Sequence, residues 1–199
     1  TVTGISVGGL PDGIVDAGTL ATNSVDSAEL IDGAIDAAHL ASGVGGITEA
    51  DQWSLNSALA LNNAAVTYVT ANQARSVENG FGLLGTGMTE SSGVFTFPST
   101  GYWLIDFNAR FHSTVGARYI HARLYTTTDN GTWVTGEAMQ KSANLYDGTS
   151  TWYANAQVKN LFDVTSTTNC KVKFAAHSIV SSVELSTGSV FTFTRLGDT

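Results

Sequence analysis

Four histidines (His39, His112, His121 and His177), one cysteine (Cys170) and seventeen acids are the side chains of this 199-residue chain best equipped to bind metal or move protons. They do not fall at working intervals. No H-E-x-x-H pair sets two imidazoles one helical turn apart, no G-x-x-x-x-G-K-[ST] loop cradles phosphate, and no G-x-G-x-x-G turn joins a strand to a helix. A single cysteine allows neither an intrachain disulfide nor a thiolate metal cage. In NCKVKF it alternates with Val172 and Phe174, the pattern of a buried, inert thiol on a strand. His121 alternates with Tyr119, Arg123 and Tyr125, as on the polar face of a sheet. The chain therefore reads as non-enzymatic, with no cofactor and no metal.

Recognition offers more material than catalysis. Trp133, Tyr146, Asp147, Trp152 and Tyr153 lie in or beside the turn-rich stretches TDNG (128–131) and YDGTS (146–150). Aromatics next to Asp, Asn, Ser and Thr on loops suit contact with carbohydrate or protein. These five are the candidates for surface recognition. The competing use of their rings is to fill the core or a subunit seam.

The elements that carry these residues differ along the chain. Residues 1–46 repeat a phrase of ten. Ile5, Val15, Val25 and Ile35 form one apolar column, and Leu10, Leu20, Leu30 and Leu40 another. Asp16, Asp26 and Asp36 recur in phase, as do Gly13, Asn23, Gly33 and Gly43, residue types that tolerate a left-handed backbone. Asp before small residues and Leu suits the cap of a single helical turn, and Asp26 with Glu29 forms a D-x-x-E box. Calcium ligation is the alternative for these aspartates, but the calcium nonapeptide pattern GGxGxDxUx is not met. His39 stands in the variable slot that Thr19 and Glu29 fill in their own repeats. Such a unit exposes two apolar side chains and hides neither. Copies from other chains, parallel along one axis, would bury both columns and make the segment a trimerisation stalk.

Charge follows the same division. The net charge is −8, and residues 1–51 hold eight acids with no Lys or Arg, while residues 52–199 hold nine of each sign. A basic footprint is missing, so nucleic acid is not an expected partner. The apolar runs are too short to span a bilayer, so membrane insertion is not expected either. The chain does not open on Met, which reads as a processed chain or a fragment.

From residue 47 to 199 the apolar period shifts toward two. VFTF (94–97), YWLIDFNARFH (102–112), RYIHARLY (118–125), WYANAQV (152–158), CKVKFAAH (170–177) and SVFTFTRL (189–196) alternate between turn signals. Trp53 and Leu55 alternate too, as do Val66 and Tyr68. Eight to ten short strands without a helix predict an all-β sandwich or barrel. Over 55–73, Leu55, Leu59, Asn62, Val66, Val69 and Gln73 also fit a short coiled coil. The β-branched, Asn-rich run NNAAVTYVTAN favours strands and loops.

The segment GVFTFPSTGYWLIDFNARF (93–111) resembles the early core of C1q/TNF-like jelly rolls, through Phe95, Phe97, Pro98, Gly101 and Tyr102. The wider stretch FGLLGTGMTESSGVFTFPSTG (81–101) is similar to structural proteins of tailed bacteriophages, where a knob follows a repetitive stalk. Leu104 stands where the jelly-roll family usually has an aromatic, and Phe193-Thr194-Arg195-Leu196 replaces its aromatic-Gly ending, so no ligand site carries over. The resemblance implies a C1q/TNF-like jelly-roll sandwich behind an extended decapeptide-repeat stalk, assembled as a homotrimer. It implies a fibre or spike on the exterior of a virion, joined to other virion proteins through its N-terminal end. Its knob would meet a host cell-surface glycan or protein. A capsid decoration protein without host contact is the alternative, and a carbohydrate-active enzyme is a more distant one.

Overall fold

The computed structural model describes residues 46–76, 82–117, 119–140 and 151–199, the side chains of 137–140 excepted. The decapeptide columns, the capping Asp16, Asp26 and Asp36, His39, Tyr146 and Asp147 lie outside the described residues. Those described form thirteen strands and no helix. They are β1 (Ala50–Leu55), β2 (Leu59–Ala60), β3 (Val66–Tyr68), β4 (Gln73–Arg75), β5 (Thr89–Ser91), β6 (Val94–Thr96), β7 (Gly101–Ser113), β8 (Ile120–Thr127), β9 (Val134–Gln140), β10 (Trp152–Val164), β11 (Lys171–Ser178), β12 (Val183–Leu185) and β13 (Val190–Gly197). The count exceeds the eight to ten expected, because strands of two or three residues show no readable period.

Two antiparallel sheets face each other. The first runs β2-β12-β7-β13-β1-β4, with β10 on the other edge of β7. The second runs β5-β6-β11-β8-β9, with β3 also paired to β11. At the centre of the first sheet, β7 alternates without a break. Trp103, Ile105, Phe107, Ala109 and Phe111 are fully buried, and the residues between them face outward. The facing rings close the sandwich. Phe107 stacks on Phe191 with centroids 4.7 Å apart, and Phe174 of the second sheet packs 5.1 Å from Phe107. Phe95 meets Trp53 edge-on at 5.2 Å and Phe193 at 5.1 Å. Each such ring removes roughly 1.5–3 kcal/mol of apolar surface from water, and paired rings add about 0.5–1.5 kcal/mol.

Two glycines are required by geometry. Gly101 opens β7 at φ +133°, and a Cβ there would lie 2.4 Å from the Gly197 carbonyl oxygen. Gly93 follows Ser92 in the β5–β6 turn, both at positive φ (+83° and +51°), the backbone of a tight two-residue hairpin.

The stretch 55–73 forms β2, β3 and irregular connections rather than a coiled coil. One expectation fails inside it. Val66 is only half-buried and Tyr68 is exposed, while Thr67 between them turns inward. The reason is a hydrogen bond: the Asn62 N–H donates to Thr67 Oγ1 at 2.9 Å, which gives the buried hydroxyl a partner.

The inward-facing Asp51 ties β1 to the connection ahead of β5. Its carboxylate accepts from Trp53 Nε1 (2.8 Å), the Met88 N–H (2.8 Å), and Arg75 Nε (2.9 Å) and Nη2 (3.0 Å). Arg75 also donates to the Met88 carbonyl at 2.7 Å and lies over the Trp53 ring. The Asp51 hydrogen bond pushes the Arg75 guanidinium above its ordinary value, against the opposing effect of burial. Asp51→Ala strands three donor groups and is expected to cost roughly 3 kcal/mol of unfolding free energy. Urea unfolding of the two proteins measures it, and a loss under about 1 kcal/mol would show that the clasp is not structural.

Candidate functional site

Among the described residues no three His, Cys, Asp or Glu groups are placed to hold a metal. Cys170 is fully buried, 3.9 Å from Thr165 Oγ1, as its alternation indicated. The features fit for function are the two outward faces.

On the first sheet, the residues of β7 that point away from the core meet those of β10 in a thirteen-pair register. Leu161, Leu104, Thr194 and Ala50 form one row across β10, β7, β13 and β1. Leu161 is 59 % exposed and Tyr102, one row further out, 40 % exposed. The chain enters the sandwich at this same row, since Ala50 begins β1. Further along, the face turns polar. Asp106 binds Lys159 Nζ at 3.1 Å and accepts from the Gln157 amide at 2.9 Å. At the far end Arg110 lies 4.5 Å over the Tyr153 ring, against which His112 stacks at 5.8 Å, while His112 Nε2 sits 3.5 Å from Glu184.

On the second sheet, the Lys173 ammonium stands 4.1 Å from the centre of the Trp133 ring and 4.7 Å from that of Tyr68. Burial first, then the neighbouring Tyr125, pushes the Tyr68 phenol above its ordinary value, with Arg123 acting in the opposite direction. His121 and His177 face each other in the β8–β11 register, with ring centres 5.2 Å apart and Tyr119 beside both.

The recognition candidates are thus separated. Trp133 lies on the second sheet and Tyr153, exposed, on the first. Trp152 is buried, and its indole N–H donates to the Val115 carbonyl, so its ring serves the core. Tyr68, Lys173, Tyr102 and Leu161 were missed by sequence reasoning. Their signal was present: in YWLIDFNARFH, Tyr102 and Leu104 fall on the face opposite Phe107, where a solvent-facing strand carries polar residues.

Neither a protein-family model nor a curated protein sequence matches the chain. Among solved structures, murine APRIL superposes at a TM-score of 0.52 with 13 % identity, over 74 % of this chain and 98 % of that one. Eiger TNF from S. frugiperda superposes at 0.56 with 12 % identity, over 77 % and 96 %. The fold is the TNF-like jelly roll. At these identities the likeness is one of fold alone, and the jelly roll's outward faces must be read from this chain's own residues.

The turn that presents Trp133 on the jelly roll is held by Asp129. Its carboxylate accepts from Thr127 Oγ1 (2.8 Å) and from the N–H groups of Gly131 (2.8 Å) and Thr132 (2.7 Å). These bonds, the Thr127 hydroxyl foremost, hold the carboxyl well below the usual carboxylate range. A value lower in the folded than in the unfolded chain stabilises the turn above the unfolded value of about 3.9, and that stabilisation is lost as pH falls toward the folded value. Wild type should therefore melt above Asp129→Ala at neutral pH, and the gap should narrow below about pH 4. A gap independent of pH would exclude the carboxylate as its source.

Proposed function

We propose that this chain is a non-enzymatic, trimeric fibre or spike protein of a virion exterior, whose jelly-roll knob makes contact with the host surface. The observation that carries the reading is the apolar row of Leu161 and Leu104, with Tyr102 beside it, on the face where the chain enters the sandwich. Exposed apolar side chains grouped on one sheet face, rimmed by ion pairs such as Lys159–Asp106, have the make-up of a subunit interface. Packed around a threefold axis, that face would bring three copies of Ala50 near one line. The Ile/Val and Leu columns of residues 1–46 need the same parallel arrangement to leave water. The resemblance of residues 81–101 to phage structural proteins supports the virion setting, and that of residues 93–111 to C1q/TNF-like jelly rolls supports the threefold symmetry.

Attachment then works through avidity. Three weak contacts on one rigid assembly bind together far more tightly than one, because the second and third events are intramolecular. No bond chemistry is needed.

The intact chain should sediment at three times 20.8 kDa. Leu161→Arg should shift it toward the monomer by placing three charges on the axis. Replacing Leu20, Leu30 and Leu40 together by Ser should produce monomers or sharply lower the melting temperature. A monomeric wild-type chain ends the trimer reading. Antibody-gold labelling of the particle that carries the chain decides its station: label at a tail or fibre tip supports attachment, and label spread evenly over the head, with infection unaffected by removal of the knob, assigns decoration.

A further inference from the structure

We infer that the outward face of the second sheet binds an anionic polysaccharide, with Trp133 and Tyr68 as stacking surfaces and Lys173 as the group that pairs with its carboxylate or sulfate. Three elements converge on this point. Lys173 comes from β11, Tyr68 from β3 and Tyr125 from β8, while Trp133 stands just ahead of β9, after the turn fixed by Asp129. The Lys173 ammonium lies 4.1, 4.7 and 5.7 Å from the ring centres of Trp133, Tyr68 and Tyr125, and the two tyrosine rings are 5.4 Å apart. Cation–π attraction to three rings already restricts a side chain that would otherwise lose much rotamer freedom on binding. The ligand thus meets a positioned charge, and less entropy is lost on association.

Charge selects the ligand. The chain carries a net −8, yet β3, β6, β8 and β11 contain no acid, and they bring Lys171, Lys173 and Arg123 to this sheet. The acids of this sheet's strands are Glu90 of β5, which pairs with Phe95 and accepts from the Gly93 N–H, and Glu137 of β9, opposite Arg123 in register. Asp129 in the neighbouring turn spends its carboxylate on Thr127, Gly131 and Thr132. An acidic sugar polymer matches what remains: the flat C–H faces of pyranose rings lie against Trp133 and the 42 %-exposed Tyr68, and an anionic substituent reaches the ammonium. A neutral glycan would leave that cation unused.

This inference deepens the host-attachment reading and depends on it only for where such a polymer is met. The test is affinity electrophoresis of the full chain in native gels containing polygalacturonate, dextran sulfate, neutral dextran or single-stranded DNA. Retardation by polygalacturonate or dextran sulfate, with none by dextran, is expected. Trp133→Ala and Lys173→Gln should each weaken it about tenfold, and Trp133→Phe should largely preserve it. Near-ultraviolet circular dichroism confirms that each variant is folded, and Tyr68→Ala replaces any that is not. Absence of retardation by both acidic sugars, retention unchanged in Trp133→Ala and Lys173→Gln, or equal retention by DNA would overturn the inference. A trimer that ignores both polymers removes this site and leaves attachment through another surface intact. A monomer that is retarded removes the trimer and leaves the site.

Discussion

Everything in the sandwich depends on the register of β7. Its thirteen residues are paired along one edge by β10 over their full length and along the other by β13 and then β12. Side chains alternate strictly across a strand, so a slip of one residue would turn Phe107 and Phe111 into solvent and bring Asp106 and Asn108 inside. The stacked Phe107–Phe191 pair and the Phe174 ring beneath it forbid that slip. The same constraint fixes the outward face. Leu104 lies beside Leu161 in the same β7–β10 register that sets the buried Phe107 beside Val158. Core and candidate interface are two sides of one register, and a change that loosens the first must disorder the second.

The long strands were legible for this reason. In YWLIDFNARFH, CKVKFAAH and SVFTFTRL the alternating inward positions carry rings such as Phe107, Phe174 and Phe191, and burying them outweighs local preference. Short strands were not legible, since three residues give a single alternation and their hydrogen bonds depend on neighbours distant in sequence. Thr67 shows the limit: a hydroxyl turned inward because one N–H, from Asn62, was waiting for it. Trp152 shows another. Its loop-like flanks suggested a surface ring, but a thirteen-residue pairing with β7 carried it into the core. The Asp51 clasp joins residues up to 37 positions apart, and nothing local in ADQWSL marks its aspartate as buried.

The two outward faces divide their roles by composition. The first combines exposed Leu and Tyr with ion pairs that satisfy each other, which suits a surface meeting its own copies. The second gathers Lys173, Tyr68 and Tyr125 on β11, β3 and β8, which hold no acid, and this suits a ligand of opposite charge. Both follow from where β7 and β11 stand in their sheets: each is a central strand, so its outward residues have neighbours on both sides and form a surface instead of an edge.

Charge also bears on which part of the proposed trimer would hold it together. Residues 1–51 carry eight acids and no base, so three parallel copies in the proposed trimer would repel one another. At physiological ionic strength the repulsion is screened beyond about 8 Å, but three chains sharing an axis would lie closer than that. Two apolar residues in every ten contribute roughly 1.5–3 kcal/mol each when fully buried, and they must offset both this repulsion and the entropy of ordering nearly all the small residues between them. Alone, such a segment is marginal. In the proposed trimer, where the apolar row would gather three copies at Ala50, such a segment would begin at high local concentration, and the repeat would need only to propagate an order set by the knob.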